Sequence, residues 1–272
     1  MHRQHLKIRV MTGIIVLATA IISVAAGTDS LSLEKKRFCF HGGGTIGGAG
    51  GIAPSFQWLD LSPVEDVVKN ETDLSLYPFN FKDNGFMLIG GMGYGGTQCG
   101  ASIGGGGWFG YKKFVSTSRT VPLQDSLGNI IFRNSDTVKV DSAAQLHTMI
   151  AYGGFLAEKN FSAGDFTFAV GGLFGGGALI LGKEFVSSEN SSAFTSTKEY
   201  DSADIANSWT AAPLLCFDIH SGIFWRVSSF IVVGADANLL FFNSNSGFNY
   251  NTDSFMTMNP GIRFRILFGN LG

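Results

Sequence analysis

The chain has 272 residues, with 37 Gly and 25 Phe; 45% of residues are hydrophobic and only 15% are charged. Ordinary soluble domains carry roughly 25% charged residues, and a disordered chain would be far less apolar. With a formal charge of −2 there is no basic surplus, so nucleic acid is excluded as a partner.

At the start, Arg3, Lys7 and Arg9 precede an apolar run over 10–22 and the small residues Ser23-Val24-Ala25-Ala26. The run falls short of the roughly 20 residues a spanning helix needs, so residues 1–26 read as a signal peptide. Removing its three cations leaves 16 basic against 21 acidic residues, a mature charge of −5. Residues 27–37 read as a mobile lead-in and 38–272 as one glycine-rich β domain. Cys39, Cys99 and Cys216 are too scattered for a disulfide framework and read as free thiols.

Residues 38–52 are glycine-rich, and 56–61 alternate with Phe56 and Trp58 on one face. Over 62–70 (SPVEDVVKN), Ser62 as cap, Pro63 in the first turn and Glu65 three residues after the cap predict one short helix, on a loop or plugging an end. Residues 86–114 form the most distinctive stretch, with glycine clusters at 90–96 and 104–107 around a turn at Thr97-Gln98. Glycine at that density excludes helix and suits a strongly curved hairpin. Ile103, Phe109 and Tyr111 share one parity, Ser102 and Lys112 the other.

Further strands are expected at 143–157, 164–182, 209–220, 223–242 (with a break near Arg226) and 255–268. Short turns are expected at Glu158–Asn160 and Ser221-Gly222. The connections 123–141, 186–208 and 243–253 are long and rich in Asn, Ser, Asp and Thr. Long loops at one rim with short turns at the other, and strands near the 9–11 residues of a spanning strand, describe a membrane barrel. Alternation agrees. Ile231, Val233, Leu239 and Phe241 oppose Asp236 and Asn238; Leu215, Phe217 and Ile219 oppose Asp218 and His220; Ile262, Phe264 and Ile266 oppose Arg263 and Arg265.

The final strand, GIRFRILF, alternates and closes on the aromatic Phe268, with four residues after it. In this it resembles the terminal strand of bacterial outer-membrane β-barrel proteins. The resemblance implies outer-membrane lipid and the barrel-assembly machinery as partners.

Motifs for chemistry are weak. The G-x-G-x-x-G at Gly91–Gly96 opens no helix and lacks the phosphate-binding geometry. Cys216, Asp218 and His220 fall on one strand face, and Cys39 and His41 share the same spacing, which would suit zinc if the strands met; polar lumen residues are the plainer reading. His220 and the adjacent Ser221 point to opposite faces, and no G-x-S-x-G elbow occurs. Asp218, His220, Asp236, Asn238, Arg263 and Arg265 are therefore candidate lumen-lining residues, with no catalytic, metal or cofactor site and no enzyme activity expected.

The expectation is an all-β, antiparallel, up-and-down transmembrane barrel of roughly 8–12 strands with one short helix in a loop. It would lie in the bacterial outer membrane with a structural, adhesive or narrow-channel role. The alternative is a soluble exported glycine-rich β-sandwich, periplasmic or secreted, acting as a surface or binding module. The two differ in whether the apolar parity faces lipid or a protein core.

Overall fold

The computed structural model describes residues 45–72, 74–97, 101–122, 130, 132–133, 136–137, 139–189, 209–248 and 254–269. The leader, the lead-in, Cys39, His41 and Cys99 lie outside the described residues.

The strands are β1 (Thr45–Ile52), β2 (Ser55–Trp58), β3 (Gly85–Thr97), β4 (Ala101–Val115), β5 (Arg119–Pro122), β6 (Phe132–Arg133), β7 (Asp136–Thr137), β8 (Lys139–Ala163), β9 (Phe166–Glu189), β10 (Trp209–Arg226), β11 (Ile231–Ser244) and β12 (Phe255–Gly269). All pair antiparallel with their neighbours in the main sheet, and β6–β7 is a separate ribbon. The sheet closes on itself because β1 pairs with both β12 and β3, and β2 does the same. β1 and β2 follow one another in a single stave, broken at Ala53-Pro54. The ladder is carried across the break by Ala53 N–H to Gly90 O (2.8 Å) and Phe264 N–H to Pro54 O (2.9 Å). Counting β1 and β2 as one, the ring order β1/β2, β3, β4, β8, β9, β10, β11, β12 has eight staves. An eight-stranded barrel is just wide enough for side chains to fill.

The two rims differ. At one, the staves are joined across 98–100, 164–165 and 227–230, and the first and last strands both end there. At the other lie the connections 59–84, 116–138, 190–208 and 245–254. Gly164 has a φ of 63°, the left-handed conformation that lets β8 reverse into β9 in two residues. Inside the wall the sheet is crowded. A Cβ on Gly175 would come 2.0 Å from the Gly153 carbonyl oxygen, so only glycine lets β8 and β9 approach and coil at that level.

Several sequence expectations are corrected. Glu158–Asn160 is not a turn: β8 continues to Ala163, because Leu156, Glu158 and Asn160 extend the inward parity of Ile150 and Tyr152. Ser221-Gly222 lies within β10, which runs to Arg226, and the reversal falls at 227–230. The connection 123–141 contains the β6–β7 ribbon and the start of β8, and β9 extends into the 186–208 connection as far as Glu189.

Helix α1 (Ser62–Asn70) forms where expected, but its cap differs: Leu61 occupies the N-cap and no side chain caps the helix. The Ser62 N–H instead donates to Asp60 Oδ1 at 3.2 Å. Pro63 is buried, and Val64, Val67 and Val68 join the same apolar cluster as Leu88, Phe114 and Leu146 from the wall. The connection 59–84 is pinned around the long-loop mouth: the Asp60 N–H donates to Asn259 Oδ1 (2.7 Å), Tyr77 Oη meets Ser142 Oγ (3.0 Å), and Lys183 Nζ donates to Glu71 Oε2 (2.6 Å). α1 and its flanks thus close that end.

Candidate functional site

Each stave obeys the two-residue period, so one parity faces the barrel interior and the other faces out. On β12, Arg263 and Arg265 are 0% and 1% exposed, while Phe264 between them is 58% exposed. On β10, Asp218 and His220 are buried while Phe217 and Ile219 are exposed. On the outward face of β8, polar His147 and Lys159 bracket Met149, Ala151, Gly153, Phe155 and Ala157. From His147 to Lys159 the strand runs about 40 Å, which at a tilt of about 40° spans about 30 Å of membrane thickness, close to the roughly 25 Å apolar band of spanning barrels. Trp58, Tyr111 and Trp209 stand on the outer surface toward the long-loop rim and Trp225 toward the other, where amphipathic rings favour a membrane boundary. Greasy outside and charged inside is the reverse of a soluble sheet. The chain is a transmembrane β-barrel of the outer-membrane type.

Inside, the sequence-singled residues meet in one cluster. Register places Asp236 opposite Arg263 and Gly222, and His220 opposite Asn238 and Gly171. Arg263 Nη2 donates to Asp218 Oδ2. Arg265 spans two staves: its Nε donates to Asp236 Oδ2 at 2.5 Å and its Nη1 to Glu158 Oε1. His220 Nε2 lies 2.8 Å from Glu158 Oε1 and its Nδ1 3.3 Å from Asp218 Oδ1. Both ring nitrogens face carboxylate oxygens, an arrangement that an imidazolium satisfies and a neutral ring, with one donor, does not. In that form three carboxylates stand against two guanidiniums and one imidazolium, and the charges of the cluster balance. Asn238 Nδ2 donates to Asp218 Oδ2 (3.2 Å), and Asn238 Oδ1 accepts from Gln57 Nε2 (2.9 Å), which ties the cluster to β2.

Aromatic rings bound the cluster on both sides. The Arg263 guanidinium lies over Trp108 and that of Arg265 over Phe224, with 4.4 Å and 4.9 Å to the ring centroids. Trp108 stacks on Tyr152 at 5.3 Å, and its indole N–H donates to Ala53 O at 2.7 Å. These partners escaped the sequence reading. Glu158 was lost to the misplaced turn; its parity with Tyr152 and Leu156 was the available signal. Gln57 and Trp108 carried no signal, because their roles depend on which staves meet across the lumen.

The arrangement neutralises charge and fills space. Cys216 is buried and free, on the same inner face as Asp218 and His220, and among the described residues no group of His, Cys, Asp and Glu is placed to hold a metal ion. Ser221 sits on the outer parity, turned away from His220.

No family model matches the chain, and no curated protein matches it. Among solved structures, two crystal structures of Ail, the attachment invasion locus protein of Yersinia pestis, are similar. One is in complex with the heparin analogue sucrose octasulfate, at 8% identity and a TM-score of 0.33; the other is at 9% identity and 0.31. Each comparison covers 82% of this chain and 97% of Ail. At those TM-scores the likeness carries no argument, and the barrel assignment rests on this chain's own closure, parity and outer surface.

Proposed function

We propose that the protein is exported by its leader to the bacterial outer membrane, where a sealed barrel anchors and displays the long connections of one rim. Its work is structural or adhesive and involves no covalent chemistry. The filled interior carries this reading. Arg263 and Arg265 cross the lumen into carboxylates on β8, β10 and β11, and the connection 59–84 closes the long-loop mouth. With the passage occupied by paired charge, the parts of the chain free to meet other molecules are the rim connections, which in such barrels face outward from the cell.

Two measurements test it. Fractionation should recover the protein from outer membranes only with detergent, with Gly27 as the mature N-terminus; recovery from the soluble periplasm would overturn the location. Replacing residues 190–208 by a short turn should weaken cell-surface attachment while heat-modifiable gel mobility, the signature of the folded barrel, is retained. Steady single-channel conductance of the purified protein in a planar bilayer would favour a narrow channel instead.

A further inference from the structure

Five polar atoms of the charged side chains in the cluster have no hydrogen-bond partner: Arg263 Nε and Nη1, Arg265 Nη2, Glu158 Oε2 and Asp236 Oδ1. All belong to side chains at least nine-tenths buried. Leaving such groups unpaired costs more than an ordinary hydrogen bond contributes, and more still where the group is charged. Arg263 Nη1 and Asp236 Oδ1 stand 3.8 Å apart. That is too far for a direct hydrogen bond and within the span of one bridging molecule.

The unpaired set fixes the chemistry of the bridge. It offers three guanidinium nitrogens, carrying five N–H donors between them, and two carboxylate oxygens. An anion would satisfy the guanidinium donors but meet Glu158 and Asp236 with like charge. A cation would satisfy the carboxylates and meet two guanidiniums. A molecule that both donates and accepts, carries no charge and is small enough for a closed lumen answers every group. We propose that the barrel interior is a built water site, in which at least one ordered water bridges Arg263 Nη1 to Asp236 Oδ1. Buried waters of this kind make about three hydrogen bonds to otherwise unsatisfied groups. The site makes the waist a hydrated ionic plug, closed to ions while its polar protons stay in contact with internal water.

This inference rests on the fold and not on the adhesive reading, so either can fail without the other. The test is a crystal structure of the full detergent-solubilised barrel at a resolution that orders water, with parallel soaks in bromide and rubidium. The expected result is a density peak within hydrogen-bonding distance of both Arg263 Nη1 and Asp236 Oδ1, with no anomalous signal from either soak. Direct contact between the two side chains, or an empty gap, would overturn it. An anomalous peak there would also overturn it, identifying the ligand as an anion with bromide or a cation with rubidium.

Discussion

The guanidinium of Arg263 lies 4.4 Å from the centroid of Trp108, a residue on a stave three places away in the ring. The contact joins β12 to β4 across the lumen, while Nη2 of the same side chain holds Asp218 on β10. Removing one partner of a buried pair strands the other charge and costs about 3–5 kcal/mol, whereas replacing both by apolar groups is often neutral. Arg263→Leu should therefore lower the urea midpoint of the detergent-solubilised barrel strongly, and adding Asp218→Leu should recover much of the loss. If the double variant were less stable than the single by the full cost of a second charge, the pairing would not be the stabilising contact.

Crowding between staves predicts a sharp contrast among glycines. Gly175→Ala puts a Cβ against the Gly153 carbonyl, within the wall, and should destabilise by about 1–3 kcal/mol through backbone displacement. Gly93→Ala faces outward, with its nearest atom at 3.8 Å, and should be close to neutral. Unfolding midpoints of the two variants in the same detergent give the comparison; equal effects would contradict the packing argument.

Phe217 stands midway between Trp209 and Trp225 on the exposed face of β10. Arginine at the bilayer midplane of a barrel costs about 2–4 kcal/mol, falling to about 0–1 near the interfaces. Phe217→Arg should impair folding into lipid vesicles far more than Trp225→Arg. Equal tolerance at both sites would mean that this face does not meet hydrocarbon.

Asp83, in the connection 59–84, receives a 2.8 Å ion pair from Lys112, which holds its carboxyl below the ordinary carboxylate value; the Gly85 N–H adds to this. The pair's small contribution is complete above the ordinary pKa of about 3.9 and is lost as pH falls through the lower folded value. An NMR titration of the Asp83 carboxyl should show the depressed midpoint, and Lys112→Met should return it toward the ordinary range. A midpoint unmoved by that substitution would remove Lys112 as the cause.

The parity of the staves was legible from single positions, because a two-residue period writes itself directly into alternating Phe-Arg or Asp-Ile pairs. Helix α1 was legible for a similar reason, with Pro63 and the spaced valines marking it, although the capping residue was not. The ends of the strands were harder to read. Glu158 and Asn160 look like turn residues, and Ser221-Gly222 like a reversal, because a barrel interior accepts polar and small residues that elsewhere signal loops. Only pairing with the next stave distinguishes the two.

By itself, the order of residues determined that long alternating strands would present one apolar and one polar face, since backbone geometry alone sends neighbouring side chains to opposite sides. The tertiary structure decided how many staves close the ring and which charges meet. Those depend on register between strands up to some two hundred residues apart in the chain. A pairing such as Arg265 with Glu158, 107 residues apart, leaves no mark in the local pattern of either strand.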